Sequence, residues 1–118
     1  MQRGRVLVNG EDRGVRGNRC TSFIERAIGL LGRPVLELTE ALWIAPCPSV
    51  HTVGMRYSID VVFCDGEGRI VRIVENLQPD RVASAKGARH TCEMLAGSVR
   101  KIGLNAGDQL VFADVLGT

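Results

Sequence analysis

Apolar residues along this chain recur mostly at every second position, and one stretch alone recurs at helical spacing. Val6, Leu7 and Val8 run into Asn9-Gly10, a pair suited to the positive φ angles of a tight hairpin, which predicts a short strand answered by a second from about Val15 to Cys20. Ser22 with Glu25 three residues on forms a capping box. Ile24, Ala27, Ile28 and Leu31 follow at helical spacing until Gly32 offers a left-handed stop. The main helix is therefore expected over about 22–32, with its apolar stripe on a sheet and Gly29 lowering its stability by about 1 kcal/mol relative to Ala. Leu42-Trp43-Ile44 predicts a strand that stops at Pro46, since Pro46 and Pro48 lack the amide protons of a ladder. Ile59, Val61 and Phe63 alternate with Asp60, Val62 and Cys64, and Asp65-Gly66-Glu67-Gly68 turns the chain back into Ile70 to Leu77. That pattern predicts a half-buried hairpin with Phe63 facing the core. Residues 80–87 show no period and read as a mobile surface loop. A strand from Arg89 to Leu95 follows, then a helical turn over about 98–102 ended by Gly103, and a last strand from Gln109 to Val115.

Six or seven short strands, one main helix and one helical turn predict an α+β fold. The expected form is a strand-rich single domain over 1–118 with a strongly curved or barrel-like mixed sheet. A doubly wound parallel sheet does not fit, because strands and helices do not alternate. With one Trp, one Tyr and three Phe in 118 residues, the core must be built mainly from Val, Ile and Leu. Net charge is +2, but residues 1–33 hold seven Arg against Glu11, Asp12 and Glu25, whereas 34–80 hold seven acids against Arg56, Arg69 and Arg72. The two segments can pack together and neutralise each other. Nucleic acid is not an expected partner, because a clustered basic face with stacking aromatics is missing. No apolar run suits a signal peptide or a membrane span, so a cytoplasmic location is expected, with Cys20, Cys47, Cys64 and Cys92 as reduced thiols.

Unusual residues gather between Pro46 and Asp65, which marks that stretch as the expected contact surface. Cys47 and His51 are four apart and could share a metal ion with Asp60 or Asp65. Two nitrogen or sulfur ligands do not complete a tetrahedral site, so no metal and no cofactor are expected. A Cys47 nucleophile with His51 as base and Asp60 as orienter is chemically conceivable, but no oxyanion hole is visible. The plainer reading makes Cys47 a small buried hydrophobe and lets His51 order the Pro46–Met55 loop through hydrogen bonds. Asp60 is expected to accept hydrogen bonds from the loop above it and so to fix His51-Thr52. Arg33 and Arg56 could clamp a carboxylate or phosphate, or could pair with Asp60, Asp65 or Glu75 inside the fold. Met55 and Trp43 offer an adaptable apolar wall, although Trp43 also suits the core.

Several separate strings, in this order, resemble one small bacterial family. They are Arg26-Ala-Ile-Gly-Leu-Leu-Gly-Arg33, Leu42-Trp-Ile-Ala-Pro-Cys47, His51-Thr52 with Met55, Ile59-Asp-Val-Val-Phe63, Pro79, Glu93 with Ala96-Gly97, and Gly107-Asp108. The family is domain of unknown function 192 (DUF192), and the resemblance runs from about Val6 to Phe112. It implies a compact, strand-rich α+β domain without an assigned biochemical role. The commoner form carries a Trp-Met-Lys-Asn-Thr-like string where Ser49-Val-His-Thr52 stands here, and many relatives carry an export signal or lipid anchor. The sequence thus points to a non-enzymatic binding or accessory module using Arg33, Trp43, Cys47, His51, Thr52, Met55, Arg56 and Asp60 toward an unknown protein or small anionic ligand. The alternative is a small metal- or thiol-dependent enzyme using Cys47 and His51.

Overall fold

The computed structural model describes residues 1–114. Along them follow β1 (Gln2–Val8), β2 (Glu11–Arg19), α1 (Phe23–Ile28), β3 (Glu40–Ile44), β4 (Ser49–His51), β5 (Ile59–Cys64), β6 (Ile70–Leu77), β7 (Val82–Ser84), β8 (His90–Leu95), α2 (Ser98–Ile102) and β9 (Leu110–Asp114). The two predicted hairpins are present: Asn9 and Gly10 both take positive φ between β1 and β2, and the Asp65–Gly68 turn joins β5 to β6. The helical turn over 98–102 is also present, whereas the Val115 end of the predicted last strand lies outside the described residues.

Seven strands form one mixed sheet in the order β6-β5-β8-β3-β2-β1-β9. β2 and β3 run parallel, and the other neighbours pair antiparallel. A parallel pair needs a crossover, which residues 20–39 supply. The outer strands β6 and β9 meet at the Arg69–Gln109 bridge, where Leu110 N–H donates to the Gly68 carbonyl and Ile70 N–H to that of Asp108. Only glycine permits this approach, since a Cβ at position 68 would fall 2.1 Å from the Leu110 carbonyl oxygen. Among the described residues no ladder continues from there, and the sheet they form is not a closed barrel.

The central strands are covered on both faces, which corrects the half-buried reading of the 59–64 strand: all six residues of β5 are buried. Alternation along it therefore divides two cores. Val62 and Cys64 join Val6, Val8, Trp43, Cys92, Met94 and the α2 residues Val99 and Ile102 on one face. Ile59, Val61 and Phe63 join Leu42, Ile44, Leu30, Val50 and Ala83 on the other. The second face is roofed partly by the crossover and partly by a small sheet of β4 and β7. Residues 80–87 are thus not the structureless loop expected, because β7 pairs with β4 and buries Ala83.

The main helix departs furthest from expectation. It ends at Ile28, because Gly29 takes φ 56° and ψ −129°, a conformation in which a side chain would be strained. Its N-terminus is capped as predicted through Glu25 N–H to Ser22 Oγ, while the Glu25 carboxylate accepts from Thr21 instead of closing the box on Ser22. The helix has no buried residue, and its apolar side faces outward: Phe23, Ile24, Ala27 and Ile28 are exposed, while Glu25 and Arg26 are the half-covered ones. Leu30, beyond the helix, plugs the second core in place of the predicted stripe.

Candidate functional site

Between the crossover and the segment that leads into β5 lies a cleft of about 430 Å³, lined by Leu30, Leu31, Gly32, Arg33, Val35, Gly54, Met55, Arg56 and Tyr57. Local chemistry shapes both rims. On one side, Arg33 folds back and donates from Nε to the Gly29 carbonyl, which braces the turn after α1 and leaves its outer guanidinium nitrogens without a carboxylate partner among the described residues. On the other, Gly54 takes φ 85°, and its backbone amide donates to Asp80 Oδ1, turning Met55 and Arg56 toward the crossover. Leu31 closes over Gly54, with a methyl carbon 3.2 Å from where a Cβ would sit.

Arg33 and Arg56 form no ion pair among the described residues. The acids that sequence offered them are engaged elsewhere. Asp60 is buried and accepts from the backbone amides of Asn76, Gly97 and Val99 at 2.9–3.0 Å. Asp65 accepts from Glu67 and Arg69 amides, and Glu75 pairs with Arg100. The cleft therefore carries two guanidinium groups beside an apolar wall of Leu31, Val35 and Met55.

Behind Leu30 the second core contains an ionisable residue. Glu93 lies on the central strand β8 at 4 % exposure, and its Oε1 has no hydrogen-bond partner among the described residues. Burial pushes its carboxyl up to about 7, against which a hydrogen bond from the Leu30 backbone acts more weakly. Gly29 accommodates it: a Cβ there would lie 2.9 Å from Oε1. Tyr57 Oη is likewise buried, with no hydrogen-bond partner among the described residues, and burial first, then the Glu93 charge, raises its pKa. In the sequence Glu93 stands out only within the strings that resemble the family, and nothing there marks Tyr57 for the site. The available signal was an acid flanked by Cys92 and Met94 on a predicted strand, which becomes telling once that strand is known to be central.

The sequence-predicted residues separate into groups. Arg33, Met55 and Arg56 share the cleft. Trp43 belongs to the first core, where its indole N–H meets His90 Nδ1 at 3.2 Å and its ring packs near Phe112. Cys47 packs against the second core, its thiol donates to the Ser49 carbonyl, and burial raises its pKa, so a thiolate is disfavoured. His51 is exposed on β4 and makes no side-chain hydrogen bond among the described residues, which corrects its expected role. Thr52 performs that role: its Oγ1 donates to the Gln78 carbonyl at 2.6 Å and accepts from Arg81 N–H at 2.8 Å. Asp60 accepts backbone hydrogen bonds as expected, but from β6 and the start of α2 and not from the His51 loop. Among the described residues no three His, Cys, Asp or Glu side chains converge as metal ligands.

Fold and cleft together define a small, strand-rich α+β domain with two short helices and a mixed sheet. The chain belongs to the DUF192 family, described as "Uncharacterized ACR", whose model matches residues 6–112. No curated protein matches it. A crystal structure of a protein of unknown function from Novosphingobium aromaticivorans is 22% identical, with a TM-score of 0.77 over 90% of this chain and 82% of that one. A second, from Sinorhizobium meliloti and described as a "putative transcription regulator", is 20% identical, with a TM-score of 0.79 over 94% of this chain and 92% of that one. At such identities the likeness is one of fold.

Proposed function

We propose that this protein is a small non-enzymatic binding module that takes an anionic ligand with an apolar body in the Arg33–Arg56 cleft. The observation that supports this is the pair of guanidinium groups lining one cleft without a carboxylate partner among the described residues. Guanidinium nitrogens present a planar fork that matches carboxylate or phosphate oxygens. Arg33 is already held by the Gly29 carbonyl, so less side-chain freedom is lost when it engages a ligand. Leu31, Val35, Met55 and Tyr57 would take the apolar part.

The thiol- or metal-dependent alternative gains no support from geometry, since the Cys47 thiol is directed to a carbonyl and stays protonated, and His51 is exposed and makes no side-chain hydrogen bond among the described residues. Calorimetric titration with phenyl phosphate, which joins a dianion to a ring, tests the binding reading. Saturable binding is expected, weakened about tenfold or more in Arg33→Gln/Arg56→Gln, as befits the loss of two charge-assisted contacts. Binding of equal strength in that double variant would contradict it.

A further inference from the structure

We propose that the outward-turned apolar face of α1, together with the Arg33–Arg56 cleft, docks on an anionic phospholipid bilayer, with a lipid headgroup phosphate as the anion the cleft accepts. The inference deepens the binding reading above and rests on it. Phe23 and Ile24 are 76% and 68% exposed, and Ile28, Leu31, Val35 and Val53 extend the apolar surface beside them. The surface is continuous through Leu31, which follows Ile28 in a hydrogen-bonded turn and closes over Gly54, the neighbour of Val53. Sequence capped this helix and gave it an amphipathic stripe, yet the fold buries none of it and half-covers Glu25 and Arg26 instead. An isolated apolar exposure needs no explanation, whereas six such residues around one helix and its adjoining cleft do.

Charge selects the occupant. Arg33 and Arg56 line the cleft beside Leu31 and Val35, Arg26 is half-covered on α1 itself, and none of the three makes an ion pair among the described residues. The acids on these elements are engaged: Glu25 pairs with the Met1 amino group and accepts from Thr21, and Asp80 accepts from the Gly54 amide. Apolar side chains rimmed by arginines match the two layers of an anionic bilayer surface, hydrocarbon beneath phosphate. A convex helix with protruding Phe and Ile also enters lipid without a shape-matched partner. No helix among the described residues is long and apolar enough to cross a membrane, so the contact would be with the surface. Neither the apolar contact nor three charges would suffice alone, so binding should be reversible and weakened by salt.

Co-sedimentation of the full chain with phosphatidylcholine vesicles and with mixed phosphatidylcholine–phosphatidylglycerol vesicles tests this, beside phenyl phosphate titration of the same samples. Expected is binding to the mixed vesicles alone, weakened by added salt and reduced about tenfold or more by Phe23→Ser/Ile24→Ser and by Arg33→Gln/Arg56→Gln. Phenyl phosphate binding should survive Phe23→Ser/Ile24→Ser, because neither residue lines the cleft. Phenyl phosphate binding without vesicle binding would overturn the bilayer inference and leave the cleft standing; absence of both would overturn the two together. Equal binding to neutral vesicles, or vesicle binding untouched by either double variant, would also overturn it. So would a dimer in sedimentation equilibrium that Phe23→Ser/Ile24→Ser dissolves, since a second copy would then be what covers α1.

Discussion

His51 and Thr52 are neighbours whose parts in the loop are the reverse of what residue type suggests. Imidazole is the conspicuous group, but it stands on the solvent side of β4, while the Thr52 hydroxyl is buried and bonded to two backbone segments around 78–81. A β-strand alternates its sides, so a shift of one residue decides which neighbour is inside. Thr52→Val should therefore cost about 1–3 kcal/mol by leaving a buried amide and carbonyl unmet. His51→Ala should stay within about 0.5 kcal/mol of the parent. Urea denaturation of the two variants checks the order, and a larger loss at His51 would reverse it. Glu93 gives the pH prediction at the same scale. Its carboxyl titrates at about 7 in the folded protein against 4.5 for an ordinary glutamate, so between those values the folded state keeps a proton that the unfolded state has released. The stability this group contributes is full below about 4.5, is lost as pH rises from there through 7, by about 3 kcal/mol in all, and changes no further above that. Denaturation midpoints should thus fall between pH 5 and pH 8 in the parent, and that component of the fall should vanish in Glu93→Gln. An unchanged slope in the variant would place the titration elsewhere. Neither residue could have been weighed correctly from spacing, because burial of Glu93 depends on strands far apart in sequence.

Among the elements, hairpins were legible and the helix was not. Asn9-Gly10 and Asp65–Gly68 encode their turns locally, so β1–β2 and β5–β6 follow from adjacent residues. The 22–32 segment has a cap, a period and a stop at Gly32, yet Gly29 ends the helix one turn earlier, where Glu93 from β8 presses against its backbone. Its apolar spacing gave no means of telling an inward stripe from an outward one. The two readings predict opposite signs for Gly29→Ala. A glycine inside a helix would gain about 1 kcal/mol on becoming Ala. A glycine at φ 56° and ψ −129° facing Glu93 should lose about 1–3 kcal/mol. Thermal unfolding of this one variant distinguishes them, and stabilisation would restore the longer helix. The β4–β7 pair was hidden for a different reason: two three-residue strands joined across about 30 positions carry no local pattern.

For the whole molecule, the strand-rich α+β class was legible because alternation pervades the chain, while the order of strands was not. The parallel β2–β3 pair and the placement of β8 between β5 and β3 arise from contacts distant in sequence. That order matters for the site, since it puts β8 under the crossover and so brings Glu93, Leu30 and Tyr57 together beneath the cleft. Sequence named Arg33 and Arg56 without being able to say whether acids would quench them. The folded chain directs Asp60, Asp65 and Glu75 to other partners. A crystal structure of the protein soaked with phenyl phosphate tests that consequence most directly. The phosphate should lie between the Arg33 and Arg56 guanidinium groups, with its ring against Met55 and Tyr57. A cleft without the probe, with either arginine paired instead to a carboxylate of the chain, would contradict it.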